Sequence, residues 1–337
     1  MFEFIILILA VSLVFYVVFA GADFGAGIYE LLCLVSGRNS QKALVERAIG
    51  PIWEANHMWL ILAVVIYFMG FPKAFSTFTN LFHIPLTMVL IGITLRGTAF
   101  AFRHYDPIQD GWQTSYSWLF GVSSLWTGFW QGIIVGGLFG ILPANPVGFY
   151  ETYITSWLSP FSVAVGFFVC SVYLFLAQTF FIAETKHDLE AQKVIRKDVW
   201  RSLILVFIAG AVVFFTSWID HPHFIENFFF GPVGIISMSI TTLLMIPLVM
   251  SYRSPSAHWA RWIVSIQVGL IFLAVFANHY PIVLEFSNGS IISYKNSVAP
   301  KATITQLFYA LLVGIIIVFP FLIHLIYLFK KDSENGL

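Results

Sequence analysis

The sequence predicts an all-α polytopic membrane protein of about nine transmembrane helices, arranged as two four-helix bundles plus one extra helix, N-terminus outside and C-terminus inside. Three observations carry this. Apolar residues make up 59% of the 337 and charged residues 10%, whereas soluble domains carry roughly 25% charged residues. The apolar runs repeat at about 20 residues or longer, the signature of membrane helices rather than the roughly 10-residue alternating strands of a barrel. Lysine and arginine then gather in alternate connections.

In chain order the spans are read at 3–35, 52–70, 75–102, 114–141, 160–184, 200–218, 229–251, 259–284 and 304–330. The first starts Met-Phe-Glu without positive charge, runs long and carries Asp23, so it reads as a membrane helix rather than a signal peptide. Several spans exceed 20 residues and are expected to tilt or to project beyond the lipid. Pro247 in the seventh and Pro320 in the ninth predict local kinks. The longest loops fall near 142–159 and 285–303, both polar with Pro or Gly. The whole chain, 1–337, reads as a single integral-membrane domain. Its count admits a pseudo-repeat of 1–142 and 159–285 with the C-terminal helix 304–330 left over, although matching residues does not reveal it.

Orientation follows from charge. With the N-terminus outside, 14 of the 17 basic residues fall on the inner side, and only Lys73, Lys295 and Lys301 fall outside. Asp23, about 20 residues along the first span, then lies near the inner face. Glu54 opens the second span there, and Arg96 and Arg103 close the third, so all four converge on the inner third of the bilayer.

Ionisable groups in lipid are costly and mark either a functional site or an ion pair that fixes packing. Two stretches pose that question. In Trp53-Glu54-Ala55-Asn56-His57-Met58-Trp59, Glu54 and His57 at i, i+3 share a helix face. A Glu–His pair can pass protons, because imidazole titrates near neutral pH. The plain alternative is a carboxylate favoured by the helix dipole. Trp53 and Trp59 would hold Asn56 and its neighbours at the interface. In Gly21-Ala22-Asp23-Phe24-Gly25-Ala26-Gly27, Asp23 sits among small residues that let another helix approach closely. It is either a proton relay or the partner of Arg96 in a structural lock, and the two readings weigh equally. Arg96 reads as a partner for an acid, and Arg103 as a positive-inside anchor. Gln131, Gln178 and Gln267 read as interhelical hydrogen-bond groups, and Asn278, His279 and Asp220 as solvated near the outer face.

Other classes recede. Net charge is zero without a long basic run, so no nucleic acid partner is expected. Cys33 and Cys170 read as small apolar residues, with neither a disulfide nor a metal site. There is no P-loop, zinc signature or haem-attachment motif. A lone histidine, His57, is weak evidence for a haem ligand.

Taken together, Gly-Ala-Asp-Phe-Gly-Ala-Gly at 21–27, Trp-Glu-Ala-Asn-His-Met-Trp at 53–59 and Arg-Gly-Thr-Ala-Phe-Ala-Phe-Arg at 96–103 resemble the second subunit of cytochrome bd-type quinol oxidases. They occur in the family's order, and the length and span count fit over essentially the whole chain. The resemblance implies a heterodimer with a larger haem-bearing subunit I in a bacterial-type cell (inner) membrane. That partner would carry haems b and d, oxidise quinol and reduce dioxygen to water. This chain would help assemble the haem site, could hold a quinone or lipid, and would contribute a proton path from the cytoplasm. Asp23 and Glu54 match the acids of the first two motifs, with His57 in the path and Arg96 and Arg103 tuning it. Some members carry further acids where Ala20 and Ala101 stand here, and Glu54 replaces the more familiar aspartate. The rival reading is a proton-coupled secondary transporter that uses the same acids.

Overall fold

The computed structural model describes residues 1–38, 53–105, 112–144, 148–185, 188–220, 228, 231–254 and 257–334. Helix α1 (Phe2–Phe15) runs through a π-helical turn (Tyr16–Ala20) into α2 (Gly21–Val35). Then come α3 (Trp53–Gly70), α4 (Pro72–Leu81), α5 (His83–Tyr105) and α6 (Trp112–Leu138). A short strand β1 (Ile141–Leu142) and a single turn α7 (Phe149–Tyr153) lead to α8 (Pro160–Glu184) and α9 (Leu189–Asp220). The chain ends with α10 (Pro232–Arg253), α11 (His258–His279), strands β2 (Ile282–Phe286) and β3 (Ile291–Ser293), and α12 (Lys301–Glu334).

Among the described residues, seven helices are long and apolar enough to cross a membrane, or eight if the bent pair α3–α4 counts as one span. Helix α6 is as long as the others, at 27 residues, but its serines, glycines and Gln131 dilute its apolar character. Helices α10 and α12 continue through Pro247 and Pro320.

Three expected boundaries move. The sixth span, expected from residue 200, starts already at Leu189. The third span was expected from residue 75, but residues 72–81 form the separate helix α4, bent 117° from α3. Phe71 leaves helical geometry at φ −136° and ψ 56°, and Pro72 starts a new helix at its first position. The eighth span was expected to reach 284. It stops at His279, because Tyr280 before Pro281 is extended at ψ 135°, and Ile282–Phe286 becomes a strand. That strand pairs in parallel with β1 and antiparallel with β3, forming a three-stranded sheet that touches α4. The Ala299 N–H donates to the Gly70 carbonyl at 2.9 Å, tying the end of α3 to the start of α12.

Helix α8 is the most enclosed of the candidate spans and packs on α2, α6, α9 and α11. It starts at a capping box between Ser159 and Ser162, with Pro160 at its first position. In lipid, apolar burial does not drive helices together, so close packing through small residues must. Gly25 meets the backbone of Tyr173, and a Cβ on Gly132 would stand 2.5 Å from the Gly166 Cα. One buried cluster surrounds α2, α6 and α8, and a second joins α1, α3, the sheet and α12.

Gly25→Val should therefore prevent α2 from seating on α8, seen as loss of purified complex. Gly314→Ala, where an added Cβ meets nothing within 4 Å, should leave yield and Tm unchanged.

Candidate functional site

Helix α6 touches both α2 and α5, and each of those two carries a pair of charged residues seven positions apart, Asp23 with Glu30 and Arg96 with Arg103. Seven residues advance a helix by about 10.5 Å and return to nearly the same face. The pairs meet in order. Arg96 Nη2 donates to Asp23 Oδ1 at 2.7 Å and to the Asp23 carbonyl at 3.2 Å, while Arg96 Nε donates to Ser124 Oγ at 3.1 Å. Two turns further on, Arg103 Nη1 donates to both Glu30 oxygens, at 2.7 and 3.0 Å. All four residues are withdrawn from the surface: Asp23 is 4% exposed, Glu30 1%, Arg96 1% and Arg103 6%.

An aromatic ring separates the two levels. The Phe120 centroid lies 4.7 Å from Arg96 Cζ and 5.0 Å from Arg103 Cζ, so one face-rich side chain of α6 serves both guanidiniums. Phe24 and Phe100 flank them at 5.1 and 5.7 Å.

The two carboxylates differ in one respect. Glu30 uses both oxygens on Arg103, whereas Asp23 Oδ2 is buried without a hydrogen-bond partner. Nearby, the His57 ring sits 6.4 Å from Tyr16 and 5.8 Å from Phe24, centroid to centroid, and its Nδ1 is likewise buried without a partner. Tyr173 donates its hydroxyl to Gln131 Oε1 at 2.9 Å, and Gln131 Nε2 donates to the Tyr16 hydroxyl at 2.5 Å. At the end of α2, Asp198 of α9 accepts from Arg38 at 2.6 Å, from Arg201 at 3.1 Å and from the Tyr29 hydroxyl at 3.3 Å.

The comparisons with known proteins decide the family. The sequence profile described as cytochrome bd terminal oxidase subunit II matches residues 1–329. The chain belongs to that family. Cytochrome bd ubiquinol oxidase subunit 2 of Bacillus subtilis is 24% identical over 316 residues, covering 89% of this chain and 90% of that protein. Cytochrome bd-I ubiquinol oxidase subunit 2 of Escherichia coli K12 is 26% identical over 222 residues, covering 64% of this chain and 57% of that protein. The solved bd oxidase of Geobacillus thermodenitrificans shares the fold, with a TM-score of 0.79 and 20% identity over 98% of this chain and 99% of that one. This bd oxidase subunit II is thus a membrane subunit of a quinol:O2 oxidoreductase in a bacterial respiratory chain. Its complex uses haem and includes a subunit I.

Within this subunit II, the expected residues divide. Asp23 and Arg96 are brought together, as is His57 beside them. Asn56 is buried, and Trp59 packs at 4.6 Å on Phe15. Glu54 and Trp53 stand in the first turn of α3, and their side chains lie outside the described residues. Arg103 is a correction. It is not a surface anchor but the buried partner of Glu30, because α5 continues inside the bundle to its last turn. Glu30, Asp198, Tyr16 and Tyr173 were missed. For Glu30 the signal was available, since its distance from Asp23 equals that from Arg96 to Arg103. His279 is also corrected: it is half-buried, edge-on to Phe139 at 4.9 Å, with its Nε2 3.3 Å from the Val283 carbonyl. Asn278 Nδ2 is buried without a partner. The side chain of Asp220 lies outside the described residues. Gln131 and Gln267 do bond between helices, the latter donating to the Thr241 carbonyl at 3.0 Å, whereas Gln178 Oε1 has no partner. Among the described residues, no three His, Cys, Asp or Glu side chains group as metal ligands.

Removing one member of a buried pair strands the other charge. Arg103→Met should destabilise the assembled complex by about 3–5 kcal/mol. Adding Glu30→Leu should recover most of that loss, read as a double-mutant cycle in thermal unfolding.

Proposed function

We propose that this subunit scaffolds the haem-bearing subunit I and delivers protons to it from the cytoplasm, through Glu54, His57 and Asp23. Haems b and d, quinol oxidation and oxygen reduction are assigned to the partner. When bound there, the haems supply the electrons and the oxygen-binding iron. Support for placing them outside this chain comes from its interior. Glycine contacts seat α2 and α6 directly on α8, at Gly25 on Tyr173 and at Gly132 on Gly166, leaving no slot for a macrocycle between them. A quinone or lipid bound to this chain is proposed at its membrane-facing surface instead. The N-out, C-in orientation and the cell inner membrane complete the reading. They rest on the charge bias, and place Arg38, Asp198 and Arg201 on the cytoplasmic side.

The observation that carries the relay is the difference between the two buried acids. Arg103 occupies both oxygens of Glu30, so that pair acts as a clamp. Arg96 fills only Oδ1 of Asp23, and the free, buried Oδ2 can take and release a proton without breaking the pair. His57, a group that titrates near neutral pH in water, stands beside it. Glu54 opens the same helix one turn earlier, on the face of His57. The arginine keeps the site from collapsing when the carboxylate changes charge.

Glu54→Ala and Asp23→Asn in the purified oxidase should slow oxygen consumption by about 10²-fold, the lower end of what a positioned proton-transfer group supplies. Reduced-minus-oxidised haem spectra should stay unchanged. Full turnover in both variants would remove the relay role and leave a purely structural subunit.

A further inference from the structure

The hydrogen-bond count around Tyr16 does not close. Gln131 has one amide oxygen and one amide nitrogen facing two phenols, Tyr173 and Tyr16. Whichever way the amide is turned, one phenol gives its proton to the amide oxygen and the other receives an N–H. In the arrangement seen, Tyr16 is the receiver, and its own O–H has no acceptor among the described contacts. Two further buried atoms on neighbouring elements are unmatched as well, His57 Nδ1 and Asp23 Oδ2. The Tyr16 and His57 rings lie 6.4 Å apart, and Phe24, 5.8 Å from His57, lies 5.1 Å from the Arg96 guanidinium that holds Asp23.

Backbone geometry sets where Tyr16 points. Tyr16 opens the π-helical turn, in which the Gly21 N–H bonds back to the Tyr16 carbonyl five residues earlier. One residue is thereby added to the turn, which re-phases α1 against α2 and carries the Tyr16 hydroxyl to Gln131 of α6. Such single π turns recur at functional sites. Phe24 closes the side toward α8 by stacking on Tyr173, at 6.1 Å and 24°.

Buried polar atoms left unsatisfied cost about 1–3 kcal/mol each. A water held by three of them removes that cost and needs two to four such partners. We infer that Tyr16 Oη, His57 Nδ1 and Asp23 Oδ2 hold a buried water, and that Tyr16 is a positioning residue which orients this water for proton transfer between His57 and Asp23. The inference rests on the relay reading above. The step balances simply. The Nδ1–H bond of the imidazolium breaks as a new water O–H bond forms, and another water O–H bond breaks as the Asp23 Oδ2–H bond forms, leaving neutral imidazole, water and a neutral carboxyl. Tyr16 stays neutral throughout, donating to the water's oxygen and held in place by Gln131 and Tyr173.

The test uses the whole oxidase complex. A cryo-EM map that resolves waters should show one within hydrogen-bonding distance of all three atoms, and Tyr16→Phe should lose it. With haem content equal to wild type, Tyr16→Phe should turn over about fivefold more slowly or worse, with a larger solvent deuterium isotope effect. Gln131→Leu, which leaves the phenol but not its orientation, should move both quantities the same way. If Tyr16→Phe fails to assemble, the wild-type map alone decides. A dry site there overturns the proposal, and so does Tyr16→Phe with wild-type rate and isotope effect. If Asp23→Asn is slow while Tyr16→Phe is not, the relay stands and the water site falls. If neither is slow, both fall.

Discussion

Two arginine–carboxylate pairs, one above the other and sharing the ring of Phe120, are the constraint on which the rest of this subunit depends. Each places a full charge of either sign in a low-dielectric interior, where desolvation costs several kcal/mol per ion. Hydrophobic packing of equal volume could be as stable. What the pairs supply is position. A lone buried guanidinium has a single acceptable partner, and two such partners at the same spacing fix both the depth and the rotation of α5 against α2. Ser124 and the Asp23 carbonyl then satisfy further Arg96 donors. Neighbouring small residues do the rest, since Gly27 packs against Ser124 and Gly121 against Leu31.

Once that frame is rigid, a site can be left incomplete within it. Asp23 Oδ2, His57 Nδ1 and the Tyr16 hydroxyl hydrogen are groups without matched partners among the described residues. Incomplete hydrogen bonding is unfavourable, and in the proposed relay it is these atoms that would accept and release the proton. Full occupancy of Glu30 by Arg103 makes the contrast visible within one helix. The two acids differ here by one free carboxylate oxygen, and the proposed division into scaffold and relay rests on that difference.

Much of this was legible in the sequence, and the reasons for the rest are physical. Membrane spans can be read because twenty apolar residues have few alternatives in lipid. The meeting of Asp23 with Arg96 followed from placing charges by depth. Glu30 was illegible by the same method: a single acid near a helix end looks solvated, and only its spacing of seven from Asp23, matched by Arg96 and Arg103, betrays the ladder. The sheet was hidden because Ile282–Phe286 is as apolar as the helix before it, so hydropathy ran on past the stop that Pro281 imposes. The end of the second span at Gly70 was legible, but not that 72–81 forms a separate helix, α4, before α5. Tyr16 was invisible for a different reason. Its role arises from a π turn and from partners on α6 and α8, and neither leaves a periodic mark in the chain.

The ladder also fixes topology where hydropathy is weakest. Asp23 precedes Glu30 in α2, and their partners Arg96 and Arg103 follow in the same order in α5, so the two helices run parallel. A chain that leaves α2 at one end of the bundle must return to the other end before α5 can begin. Only residues 36–82 lie between, and among the described ones α3 is the one helix long enough, its 18 residues spanning about 27 Å. Helix α3 must therefore cross, with α4 as its bent continuation. Its bent foot α4 lies against the sheet, and Gly70 at the corner is tied to Ala299, which anchors the turn at the side opposite Arg38 and Asp198. The crossing carries His57 past Tyr16 and Phe24, beside the buried Arg96–Asp23 pair.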